Sequence, residues 1–121
     1  MLFRSFYFGQ SSFASHSIAT VRNVVKLPES ADLATVGPLG CGILTGAGTV
    51  FNTFDPTPDQ TVAVFGSGAV GLAAVMAATA VGCRAVVAVD RVPSRLELAR
   101  ELGATAVIDT NEVEDVPAAV R

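Results

Sequence analysis

Three glycines and one acid carry the most legible chemistry in this chain. Gly66-Ser67-Gly68-Ala69-Val70-Gly71 follows directly on the β-branched, apolar run Thr61-Val62-Ala63-Val64-Phe65. Asp90 closes a second apolar run, Ala85 to Val89, 19 residues beyond Gly71. Glycines at that spacing allow a sharp turn out of a strand, close approach of backbone to a pyrophosphate, and tight packing of a helix on a sheet. The turn opens onto an alanine-rich stretch ending at Val81, so unpaired N–H groups and the positive end of a helix dipole would face the phosphates. A carboxylate at the end of the second strand accepts both hydroxyls of an adenosine ribose. The pattern is that of a dinucleotide-binding βαβ unit, with Gly66, Gly68, Ala69, Val70 and Gly71 as the phosphate turn and Asp90 as the ribose acid. Methyltransferase-like sheets share part of it, since they too place a glycine turn before an acid. Asp90 favours NAD, because the 2′-phosphate of NADP would meet a negative charge. The neighbouring cation Arg91 would soften that discrimination, which keeps NADP as the weaker reading.

The elements that must position these residues can be read in order. Ser11 to Val25 alternates like one or two strands, with a turn at Arg22-Asn23, and Val24 to Leu27 reads as a short strand ended by Pro28. A short helix is expected from Glu29, with Ser30 as its N-cap, ending near Gly37-Pro38. The glycine-dotted run from Gly40 to about Asn52 predicts a helix packed closely against another backbone. Asp55 to Asp59 is a proline-stiffened turn into the first sheet strand. After Asp90, Pro93 suits a helix first turn, Leu96, Leu98, Ala99 and Leu102 give that helix an apolar side, and Gly103 closes it. Thr105 to Asp109 is a third strand, and Asn111 to Arg121 starts a further helix. The fold class implied is α/β, with three parallel strands in the order 3-2-1.

Composition bounds the alternatives. The chain has 121 residues, half of them apolar, and a net charge of −3, which disfavours nucleic acid as a partner. No uninterrupted run of 18 apolar residues argues for a membrane span. Two cysteines, Cys41 and Cys83, are too few for a disulfide framework and point to a reducing, cytoplasmic setting. Residues 1–28 contain Arg4, Arg22 and Lys26 and no acid, a composition that imitates a transit peptide. The strand-like alternation of the same segment argues against it.

Gly40-Cys41-Gly42-Ile43-Leu44-Thr45-Gly46, the glycine turn, and Glu101-Leu102-Gly103-Ala104-Thr105 fall in the order found in the zinc-dependent medium-chain alcohol dehydrogenases. The chain resembles that family over nearly its whole length, and most of all its aryl- and benzyl-alcohol branch. Phe8-Gly9-Gln10-Ser11-Ser12-Phe13-Ala14 is similar to the tail of the family's catalytic domain. The resemblance implies a partial Rossmann domain over 55–121, connecting helices over 31–54, and the β-rich remnant of a GroES-like catalytic domain over 1–30. It implies Cys41 as a ligand of a catalytic zinc, Thr45 beside the nicotinamide, Val70 behind that ring, and Arg95 on the adenosine ribose. Tyr7 and Phe8 would line the substrate pocket. The implied reaction is hydride transfer to NAD from a zinc-bound primary alcohol, an aromatic one by the branch resembled, giving an aldehyde.

The departures define a second reading. The family's catalytic zinc needs three protein ligands, and only Cys41 matches one; His16, the single histidine, reads as an ordinary strand residue, and Cys83 as a core thiol. The sheet half that holds the nicotinamide nucleotide is absent, so the chain reads as an internal piece of a longer dehydrogenase. It would then be an inactive fragment with at most weak dinucleotide binding, prone to self-association through an uncovered edge of the first strand. A zinc-less quinone reductase of the same superfamily is disfavoured by Cys41 itself.

Overall fold

The computed structural model describes residues 15–16 and 18–120. The chain divides between Leu33 and Ala34 into two compact units. In the described part of the first, a 3-10 turn at Val21–Asn23 stands in irregular chain. The strands expected over 11–25 lie partly outside the described residues; from Ile18 to Leu27 no residue joins a ladder, which corrects that reading and the one for Val24 to Leu27. Val24 is extended, at φ −130° and ψ 144°, but extended backbone becomes a strand only when a neighbour takes up its N–H and C=O groups. The helix expected from Glu29 begins only at Leu33. A turn precedes it, in which the Pro28 carbonyl accepts the Ala31 N–H at 3.0 Å, and Ser30 caps nothing.

The second unit follows the expected order closely. Helix α1 (Leu33–Val36) runs into a 3-10 turn, Gly37–Gly40, before α2 (Gly42–Gly48) and a π-helical segment, Thr49–Phe54. Strand β1 (Thr61–Phe65), helix α3 (Ala69–Val81), strand β2 (Ala85–Asp90), helix α4 (Pro93–Glu101), strand β3 (Ala106–Asp109) and helix α5 (Val116–Val120) complete it. The three strands are parallel with β2 in the centre, the expected 3-2-1 order. Thr61 pairs with Ala85 and Phe65 with Val89, while Asp90 pairs with Asp109, so the carboxyl ends of the strands lie level.

Alternation along the strands places Val62, Val64, Val86, Ala88 and Val107 against a core completed by Val75, Ala77 and Ala78 of α3 and Ala99 of α4. Central β2 is buried from Val86 to Asp90, whereas every second residue of β1 is exposed, Phe65 by 66%. Burial on both faces is what turns β2 into a continuous apolar run and not an alternating one. The outer edge of β1 has no strand beside it among the described residues.

The glycine-dotted helix runs through Asn52 as expected and ends at Phe54, but its second half, Thr49–Phe54, is wound as a π-helix. The Thr49 hydroxyl donates to the Thr45 carbonyl at 2.7 Å, and the Asp55 N–H reaches back five residues to the Val50 carbonyl at 2.9 Å. Wide turns of this kind cluster near functional sites. Asp55 then leaves in the left-handed region at φ 43°.

Candidate nucleotide-binding site

The turn between β1 and α3 is built from the glycines outward. Gly66 sits at φ 92°, a region that side chains strain to enter, and its N–H extends the β1–β2 ladder by donating to the Val89 carbonyl at 2.7 Å. A Cβ on Gly71 would collide with the Gly66 carbonyl oxygen and lie 3.3 Å from Val64 Cγ1. The first turn of α3 is thus folded back onto the strand that precedes it. Around Gly66 and Gly68, by contrast, a Cβ would meet nothing within 4 Å. That open cradle, rimmed by backbone, has the form a pyrophosphate requires. The α3 ladder begins with the Leu72 N–H donating to the Gly68 carbonyl at 2.8 Å, which leaves the N–H groups before it free of helical partners.

Asp90 holds this turn together. Its Oδ2 accepts the Ser67 N–H at 2.6 Å, and its Oδ1 accepts the N–H groups of Arg91 and Val92 at 2.7 and 2.9 Å. The side chain is only 9% exposed. The Ser67 N–H holds its carboxyl below the ordinary value of 3.8; burial opposes this, and the Val92 and Arg91 amides and the Arg95 charge add to the lowering. Asp90 is therefore ionised at neutral pH, with acceptor capacity left on Oδ2.

The sequence-assigned residues come together to different degrees. Gly66, Gly68, Ala69, Val70, Gly71, Asp90 and Arg95 all line one groove with a volume of about 500 Å³. Arg95 reaches it from the first turn of α4. Arg91 does not line the groove; its carbonyl accepts from Asn111 Nδ2 at 2.7 Å. Cys41 is exposed immediately before α2, and Thr45 is exposed one turn into it. Tyr7 and Phe8 lie outside the described residues. Among the described residues no three His, Cys, Asp or Glu side chains cluster to hold a metal ion, so the donors present do not form a zinc site. His16 is exposed beside Ser15, and Cys83 is half-buried at the edge of the core.

Two participants escaped the sequence reading. Ser67 contributes its backbone N–H, and its side chain is fully buried with no hydrogen-bond partner for Oγ. A small residue between the two glycines was the available signal. Asn111 braces the β2–α4 turn from beyond β3, bonding both Arg91 O and Asp109 Oδ1. The level carboxyl ends of β2 and β3 bring it there, which only the register reveals.

Comparison with known proteins agrees with this geometry. Residues 69–121 match the family described as zinc-binding dehydrogenase. The geraniol dehydrogenase of Castellaniella defragrans is 44% identical over 98% of the chain, which covers 32% of that protein. An alcohol dehydrogenase zinc-binding domain protein from Burkholderia ambifaria superposes with a TM-score of 0.82 at 53% identity, over 93% of this chain and 30% of that one. The benzyl alcohol dehydrogenase of Acinetobacter calcoaceticus gives 0.81 at 45% identity, over 93% and 31%. Residues 69–121 thus carry the zinc-binding dehydrogenase match, and over nearly its whole length the chain is similar to alcohol dehydrogenases, with a Rossmann-type sheet like theirs. It spans about a third of the length of the relatives it matches. Among its described residues no single helix is long and apolar enough to cross a membrane.

Proposed function

We propose that this chain supplies the adenosine and pyrophosphate half-site of an NAD-dependent alcohol dehydrogenase that oxidises a primary, aromatic alcohol to its aldehyde. The observation that carries the cofactor half is the open glycine cradle clamped by a buried, ionised Asp90. When bound, NAD supplies the hydride acceptor. The protein's own part is to position it. Free N–H groups at the start of α3 face the phosphates, the remaining lone pairs of Asp90 take the ribose hydroxyls, and Arg95 flanks them from α4. A ribose 2′-phosphate would be brought against the Asp90 carboxylate, which favours NAD over NADP. Cys41 and Thr45 are assigned to the metal and nicotinamide end, and Tyr7 and Phe8 to the substrate pocket, by resemblance. The aromatic substrate rests on the similarity to a benzyl alcohol dehydrogenase. Two free thiols fit a cytoplasmic setting.

The absence of a three-donor metal cluster among the described residues favours a second reading for the chain by itself: an inactive fragment with at most weak dinucleotide binding. Thermal unfolding under increasing NAD separates the readings when combined with an assay of NADH formation from benzyl alcohol. A midpoint that climbs with NAD, as mass action demands, together with turnover supports the enzyme. The same climb without turnover supports the second reading. A midpoint indifferent to NAD sinks the enzyme and its NAD half-site, and leaves only an inactive fragment.

A further inference from the structure

The two peptide groups that follow Asp90 are each gripped at both edges. The first joins Asp90 to Arg91: its carbonyl accepts the Thr110 N–H at 3.0 Å, and its N–H donates to Asp90 Oδ1 at 2.7 Å. The second joins Arg91 to Val92. Its carbonyl accepts from Asn111 Nδ2 at 2.7 Å, and its N–H donates to the same Oδ1 at 2.9 Å. A peptide group is a rigid plate with C=O and N–H at opposite edges, so holding one edge aims the other. Thr110 does this with backbone, which any residue but proline offers. Asn111 does it with a side chain, so the second grip depends on the residue type.

The Asn111 side chain is itself anchored. Its backbone N–H and its Nδ2 both donate to Asp109 Oδ1, each at 2.8 Å. The Arg91 carbonyl and the Asp109 carboxylate oxygen are acceptors, and the two hydrogens of one amide nitrogen bridge them. Asp90 has use for such a hold, because rotation of a carboxylate about its Cβ–Cγ bond is soft. Two donors on Oδ1 and the Ser67 N–H on Oδ2 fix that rotation, and with it the direction of the acceptor capacity left on Oδ2. Asp90 lines the nucleotide groove, and Asn111 stands outside it.

We propose that Asn111 is a positioning residue for ribose recognition: by aiming the Val92 N–H it holds the Asp90 carboxylate in the orientation that meets the ribose. The inference rests on the proposed NAD site, which makes the adenosine ribose the ligand of Asp90. Asn111 acts on that ligand only through one peptide group and one carboxylate.

Asn111 is exposed, so Asn111→Ala is expected to fold like the parent. Calorimetric titration compares NAD with an analogue whose adenosine ribose lacks both hydroxyls. In the parent NAD is expected to bind about tenfold tighter, the scale of a hydrogen bond to a charged group. Asn111→Ala is expected to cut that ratio to about threefold or less, while binding the analogue as the parent does. Asn111→Asp, which keeps the shape and loses the donor, is expected to do the same. A ratio that stays at the parent's value in either variant overturns the proposal, whether or not both ligands weaken together. A parent that binds the two ligands alike, or binds neither, overturns the NAD site instead.

Amide hydrogen exchange in the ligand-free chain reads the grip directly. Asn111→Ala is expected to speed exchange at Val92 by roughly tenfold, the loss of one hydrogen bond. Arg91, whose peptide group is held by Thr110, keeps its parent rate. Equal acceleration at both amides, or none at Val92, overturns the proposal.

Discussion

The carboxylate of Asp90 accepts the backbone N–H of Ser67 at 2.6 Å, across 23 residues of chain. One acid at the end of β2 therefore shapes the phosphate turn at the end of β1 before any ligand arrives. The ribose acid and the pyrophosphate turn are one hydrogen-bonded unit, and changes at Asp90 act on both.

Removing that carboxylate strands three N–H donors, two of them beside a buried strand end. Asp90→Ala is expected to destabilise the chain by roughly 3 kcal/mol, the scale of losing charge-assisted hydrogen bonds and leaving donors unpaired. Asp90→Asn turns an amide toward a donor at one oxygen position and should fall between the two. Urea unfolding of the three chains measures this; a loss under about 0.5 kcal/mol for Asp90→Ala, the scatter of surface changes, would refute the clamp.

The same carboxylate makes a signed prediction for pH. Its folded-state pKa lies below the ordinary 3.8, so its contribution to stability is fully present above that value. The contribution is lost as pH falls from there through the lowered folded value. Stability measured from pH 6 down to about 2 should drop less steeply below pH 4 in Asp90→Asn than in the parent, since one such titration is gone. Parallel curves would count against an ionised, hydrogen-bonded Asp90.

Gly71 is needed for a steric reason, because a Cβ there meets the Gly66 carbonyl. Gly71→Ala is expected to cost about 1–3 kcal/mol, as overpacking does, and to weaken nucleotide binding by moving α3 off the turn. Gly68→Ala, with open space around it, should leave stability nearly unchanged while still obstructing the phosphates. Urea unfolding and a nucleotide titration of both variants would show the split; equal stability losses would contradict it.

Among the described residues the outer edge of β1 has no strand beside it and Phe65 is 66% exposed, an arrangement from which self-association in solution is predicted. Sedimentation velocity should show a mass rising above 12.4 kDa with concentration. Phe65→Lys should return it toward the monomer. A parent that remains monomeric at high concentration would contradict the expectation.

Where side-chain pattern and backbone demand coincide, the sequence was sufficient. The run from Thr61 to Asp90 needs a strand, a glycine turn, an apolar helix and a buried strand, and each residue type admits little else there. The observed bounds accordingly fall where expected. Near the N-terminus the alternation around Ile18 to Leu27 suggested strands, yet a strand is defined by its partner, and none is present among the described residues. The winding of Thr49–Phe54 was equally opaque: a π-helix and an α-helix admit the same residue types, and composition does not distinguish them. The Asp90–Ser67 clamp uses a backbone N–H, a donor that every residue except proline carries and that no sequence pattern marks.

Calorimetric titration of the folded chain with NAD, and with NADP in parallel, tests the central claim most directly. The account predicts saturable NAD binding, weakened by Asp90→Ala, with NADP at least about tenfold weaker, or 1.4 kcal/mol. No heat from either nucleotide, or NADP bound as tightly as NAD, would contradict it.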